Sequence, residues 1–182
     1  MNKQRRQSKE KSVNPTFFIF CEGKTEEEYI NFLRTNNKFP IEIDAKIKGS
    51  DINENYINNY KNTKDRHPTD KTYLIYDLDV PNALLNLQKI KNTTLIVSNP
   101  CFELWYLLFY QNQTASLTSK DCVKKLTEHV QNYKKGYTKD LEKKLSENKE
   151  EAIRRAKKLA LFENPSTNVY QLVEDLEMKK YT

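Results

Sequence analysis

Four apolar residues in a row, Phe17 to Phe20, closed by Cys21, form the first strong feature of the chain. A run with no polar alternation reads as a strand buried on both faces, as in parallel sheets. It stops at Glu22-Gly23, and the acidic stretch that follows predicts a helix from Glu26 to about Asn36, with Thr25 and Glu28 as a capping box. Ile41 to Ile47 alternates with period two, which predicts a strand with one wet face near a sheet edge. Ile52, Tyr56, Ile57 and Tyr60 recur at helical spacing between Asp51 and Lys64. Thr72 to Tyr76 is a third strand, ending in Asp77-Leu78-Asp79, and Pro81 opens a helix to about Lys91. Thr94 to Val97 is a fourth strand. A very apolar helix follows from Cys101 to Tyr110, with Asn99 as its N-cap and Pro100 at its first position. From Ser119 onward the pattern is helical only. Strands alternating with helices predict a parallel α/β sheet with right-handed crossovers.

Composition narrows the class. The 182 residues are enough for one domain with a substantial core. No apolar stretch reaches membrane-spanning length, and Met1 to Ser12 has no signal-peptide core, so a cytoplasmic protein without membrane contact is expected. Cys21, Cys101 and Cys122 lack paired spacing, which disfavours a disulfide framework or a zinc site. His67 and His129 are too scattered for a histidine metal centre.

The net charge of +6 is unevenly placed. Residues 1–12 carry five Lys or Arg against one acid, and residues 120–160 carry thirteen against seven. The stretch 13–119 between them is slightly acidic, with eleven bases and thirteen acids. This divides the chain into a basic arm (1–12), an α/β domain (13–118) and a helical extension packing on it (119–182). Basic segments flanking an acidic α/β half suit a polyanion held over a cation site, with Lys and Arg supplying salt-dependent affinity. Solvated Lys-rich helices are the plainer alternative.

Three motifs carry candidate chemistry. Glu22 falls at the carboxyl end of the first strand, the end of an open α/β sheet where ligands sit. Gly23-Lys24-Thr25 imitates a phosphate loop, but Phe18 stands where that motif needs glycine, and Glu22 would repel a phosphate. A carboxylate there suits a divalent cation, which takes oxygen ligands; a solvated turn is the alternative. Asp77 and Asp79 lie two apart, so on extended backbone both carboxylates can converge on one site. Haloacid-dehalogenase phosphatases also use Asp-x-Asp, but after their first strand; here the pair follows the third, and Pro81 stands where that family carries Thr or Val. Glu103 is the sole charge in the apolar helix, so it needs a cation partner or a place in the acidic cluster, unless it faces solvent from the first turn.

Glu22-Gly-x-Thr-Glu26 after strand one, Asp77-x-Asp79 after strand three and Ser98-Asn99-Pro100-x-Phe102-Glu103-x-Trp105 after strand four together resemble the RloB family. Asn164 to Val169 near the end also recurs there, and the resemblance spans residues 14–180. Its members are small proteins of prokaryotic defence islands, often beside restriction–modification genes, and are similar to the toprim modules of topoisomerases, primases and OLD nucleases. The resemblance implies a toprim-like sheet of about four parallel strands flanked by helices. It implies Glu22, Asp77 and Asp79 around Mg²⁺ or Mn²⁺, with Glu26 and Glu103 serving a second ion. It also implies a downstream lysine, for which Lys139 is the candidate. Unlike OLD proteins, the chain carries no ATPase domain.

The expected function is metal-dependent phosphodiester hydrolysis of DNA or RNA in anti-phage defence, with Glu22, Asp77, Asp79 and Lys139 as the catalytic set. Nucleic acid is the expected partner, alongside other defence or restriction–modification proteins, and oligomerisation is left open. The alternatives are a non-catalytic nucleic-acid- or partner-binding module on the same fold, and a nucleotide-directed phosphotransferase.

Overall fold

The computed structural model describes residues 14–131, 133 and 139–179. The predicted basic arm, residues 1–12, lies outside them. One five-stranded sheet has the order β2-β1-β3-β4-β5. Its strands are β1 (Thr16–Cys21), β2 (Glu42–Ile47), β3 (Lys71–Asp77), β4 (Thr94–Asn99) and β5 (Ser166–Thr167). The first four run parallel, as expected, and β5 pairs antiparallel with β4.

β1 is buried at every position because it separates two apolar layers. Phe17, Ile19 and Cys21 face a large cluster with Tyr73, Ile75 and Ile96. Phe18 and Phe20 face a smaller one with Leu74, Tyr76 and Val97. α1 (Lys24–Asn36), α4 (Glu103–Leu107), α5 (Ser119–His129), α6 (Lys139–Glu147), α7 (Lys149–Ala156) and α8 (Val169–Met178) feed the large cluster through residues such as Ile30, Trp105, Leu126, Leu141, Ile153 and Leu172. α2 (Glu54–Lys61) and α3 (Ala83–Leu87) cover the other face through Ile57 and Leu87. β2 buries only Ile43, consistent with an edge strand. Among the described residues no helix is long and apolar enough to cross a membrane.

Four local expectations are corrected. α1 starts two residues earlier than predicted, with Gly23 at the N-cap, and Glu26 rather than Glu28 closes the box by accepting from the Gly23 N–H at 3.1 Å. The helix after Pro81 begins only at Ala83, because Asn82 takes a left-handed conformation (φ 65°) that asparagine tolerates better than most residues, and it stops at Leu87 rather than near Lys91. Asn99 is no N-cap: it is the last residue of β4, and its amide donates to the Phe162 carbonyl at 3.0 Å. The stretch after Ser119 is not purely helical, since Ser166 and Thr167 pair with Asn99 and Ser98.

Asn168 explains how so short a strand is held. It is 3% exposed, accepts from the Val97 N–H at 2.6 Å and donates to the Leu95 carbonyl at 2.9 Å, continuing the ladder with a side chain where β5 has ended. Beside it the Ser98 and Thr167 hydroxyls bond at 2.9 Å. Asn168→Ala should therefore leave a buried backbone N–H unpaired and cost about 2–3 kcal/mol. Chemical denaturation should show that loss as a lower midpoint with unchanged slope; an unaltered midpoint would refute the bridging role.

Candidate metal centre at the carboxyl end of the sheet

β1 and β3 are parallel neighbours, so their carboxyl ends open on the same rim. The Glu22 N–H donates to the Ile75 carbonyl at 3.0 Å, extending the β1–β3 ladder one residue past β1. The Glu22 carboxylate then turns back and accepts from the Asp77 N–H at 3.0 Å. Glu22 thus spans the strand ends, half-buried. A freely solvated turn residue is not what the fold makes of it.

Side-chain alternation along β3 puts Asp77 on the face occupied by Tyr73 and Ile75, where α1 and α4 pack. α1 brings Glu26, 4% exposed, and α4 brings Glu103, 3% exposed. Glu103 therefore does not face solvent. The Tyr133 hydroxyl donates to it at 3.3 Å, and among the described residues no Lys or Arg makes a salt bridge with it. Asp79 is exposed at the rim. Lys139 is the first residue of α6, and its side chain lies outside those described.

These carboxylates feel one another. Burial pushes the Asp77 carboxyl up to about 9, and the charges of Glu26, Glu103, Glu22 and Asp79 add to the shift. Burial likewise pushes Glu26 up to about 7; hydrogen bonds from the Gly23 and Glu26 backbone N–H groups oppose the rise, and Glu103 and Glu22 reinforce it. Oδ1 of Asp77 is buried with no hydrogen-bond partner. Cys21 stays a neutral thiol, its pKa raised by burial and by Glu26 and Glu27.

The donor set fits a hard divalent cation: carboxylate oxygens of one sign, one of them unsatisfied, and no ionised thiolate. Among the described residues no group of three or more His, Cys, Asp or Glu side chains is drawn in to metal-ligand spacing. Glu22, Glu26, Asp77, Asp79 and Glu103 thus share one field at one end of the sheet without forming a closed coordination shell.

Tyr133 is the contributor that no motif flagged. It lies between α5 and α6, in a stretch whose sequence pattern reads as helical throughout. The basic residues of the helical segment are partly neutralised: Lys143, Arg154 and Lys157 pair with Glu147, Glu151 and Glu174. Lys120, Lys124, Lys125 and Lys158 have no such partner among the described residues.

A family model described as RloB-like protein matches residues 17–176. No curated protein and no solved structure matches the chain.

The raised carboxyls make stability depend on pH. In the native state Glu26 and Asp77 hold protons that the unfolded chain has already released, so the stability these groups permit without metal is fully present below about pH 4 and declines toward about pH 9. The Glu26 contribution to the decline ends near pH 7 and that of Asp77 near pH 9. Melting temperatures in EDTA across this range should fall, and Glu26→Gln should flatten the lower half of the curve. A flat wild-type profile would contradict the burial of these groups as like charges.

Proposed function

The chain belongs to the RloB-like protein family, and from that premise we propose that it is a divalent-metal-dependent nuclease acting in anti-phage defence. The observation that carries the reading is the buried carboxylate group at the ends of two parallel strands, with Asp77 forced toward its protonated form and one oxygen left unpartnered. Structural carboxylates are ordinarily buried with a cation or several donors. Grouping Asp77, Glu26 and Glu103 with none of their charges neutralised by a described Lys or Arg is unfavourable for folding, and makes sense as a site for positive charge.

Glu22, Asp77 and Asp79 would hold the ion, with Glu26 and Glu103 placed behind them for a second. When bound, Mg²⁺ or Mn²⁺ supplies a Lewis acid for the phosphate and lowers the pKa of an attacking water. The residues do the rest. The Glu22 carboxylate, pinned by the Asp77 N–H, keeps one oxygen directed by the backbone and the other free for the site. Tyr133 fixes the rotamer of Glu103 through its hydroxyl. Glu26, whose carboxylate accepts from the Gly23 N–H at 3.1 Å, would be held in place for the second ion by the start of α1. Lys139 would offset charge building on the phosphate, and Lys120, Lys124, Lys125 and Lys158 would hold the strand.

Asp77→Asn separates hydrolysis from mere binding. It keeps the shape of the side chain and removes the cost of taking up a proton on folding that Asp77 imposes near neutral pH, so the metal-free melting temperature should hold or rise. Losing a direct ligand should cost more than the roughly 10- to 100-fold seen for outer partners, so cleavage of a nucleic-acid panel with Mn²⁺ should fall by at least about 100-fold. Wild-type cleavage by the folded variant would defeat the nuclease reading. Retained binding by a wild-type protein that cleaves nothing would favour a binding module on the same fold.

A further inference from the structure

A cavity of about 190 Å³ opens beside the carboxylates, on the sheet face covered by α2 and α3. Glu22 and Asp77, at the ends of β1 and β3, are among the residues that line it. Its walls are apolar, built from Ile52, Val80, Ala83 and Leu87, and Ser50 and Asn86 are the polar groups beyond them. The Tyr76 hydroxyl donates to the Gly49 carbonyl at 2.8 Å and so anchors the loop that brings Ser50 and Ile52 to the cavity. Gly49 turns that loop with φ 72°, a conformation that side-chain-bearing residues rarely adopt. Val80 is an apolar side chain left 56% exposed at the rim.

We propose that this cavity receives one unpaired nucleobase of the substrate strand, adjoining the phosphate at Glu22 and Asp77. The inference rests on the nucleic-acid reading above and names the part of the substrate that is recognised. A free anion is a poor occupant, because no Lys or Arg is among the described residues that line the cavity and its walls are apolar. What enters must be neutral and largely apolar on its faces, with hydrogen-bonding groups at its edge. A nucleobase has that character, and it hangs one sugar away from the phosphate it follows. Ile52, Val80, Ala83 and Leu87 offer its faces an apolar slot. The Ser50 hydroxyl can donate and accept and the Asn86 amide nitrogen can donate, its oxygen already accepting from Lys89 Nζ at 3.0 Å, so they can meet a base edge without demanding one sequence. A base inside a duplex must first leave its stack, which costs a few kcal/mol, so unpaired strands, loops and ends are the preferred substrates.

The test is a binding titration in Ca²⁺ with a short unpaired oligonucleotide and with the same sugar–phosphate backbone lacking bases. Ribo and deoxyribo forms are compared to identify the sugar. Wild type should hold the base-bearing strand roughly tenfold more tightly, in line with the stacking of a single base. Ala83→Phe, which fills the cavity, should abolish that preference while still binding the bare backbone. Equal binding of both backbones by wild type, or an undiminished preference in folded Ala83→Phe, overturns the proposal. Should Ala83→Phe fail to fold, Val80→Ala at the exposed rim decides: a preference reduced about threefold supports the cavity, and an unchanged one overturns it. Cleavage with Mn²⁺ in parallel samples distinguishes the two readings. Base preference without cleavage overturns hydrolysis and retains the cavity; cleavage without base preference overturns the cavity and retains hydrolysis.

Discussion

Burial of like-charged carboxylates at the carboxyl ends of β1 and β3 is the constraint around which the rest of the structure is arranged. Desolvation alone disfavours a charged Asp77, and four neighbouring acids disfavour it further. Such a grouping persists only if the backbone around it is over-determined. Glu22 is tied to two backbone groups of β3, the Ile75 carbonyl and the Asp77 N–H. Glu26 is fixed by closing the N-terminus of α1, and Glu103 by starting α4 beneath an aromatic layer. Each acid is held by an element whose own burial is strongly favourable.

That layer is the source of the rigidity. Trp105 and Tyr106 are fully buried, and Tyr29 packs edge-on to both of them. The Tyr106 hydroxyl reaches the Thr25 carbonyl at 3.4 Å, linking α4 to the first turn of α1. Two helices carrying site acids are therefore joined through ring contacts and one hydrogen bond directly behind the carboxylates. Dispersion between many ring atoms, small for each pair and large in sum, opposes the repulsion in front of it.

The opposite edge of the sheet shows a second economy. Parallel β4 would leave its outer backbone groups exposed, and β5 covers only two residues of it. The Asn168 side chain takes over where β5 ends, and α8 follows directly, tied to β3 through Asp175, which accepts from the Tyr73 hydroxyl at 2.6 Å and pairs with Lys71 at 3.0 Å. The C-terminal segment is thus integral to the sheet that carries the site. The position of Asp77 and the closure of β4 depend on the same register, since Asp77 pairs with Ser98 and Ser98 with Thr167.

Local pattern was enough to read the four parallel strands and their order in the chain, because a strand buried on both faces must be continuously apolar and an edge strand must alternate. It also singled out Glu22, Asp77, Asp79 and Glu103, since acids at strand ends, or alone in an apolar helix, break the surrounding pattern. Tertiary structure alone decided which of these acids meet. Glu103 is buried rather than solvent-facing because α4 lies against α1, a contact between residues far apart in sequence. Asn99 looked like a helix cap and is a strand residue, because its partner Ser166 lies 67 positions later. Two residues of strand leave no periodicity to detect, and a tyrosine such as Tyr133 carries no mark of the carboxylate it will meet. Residue type and spacing encode burial; the meeting of distant side chains is fixed only when the sheet and helices close around them.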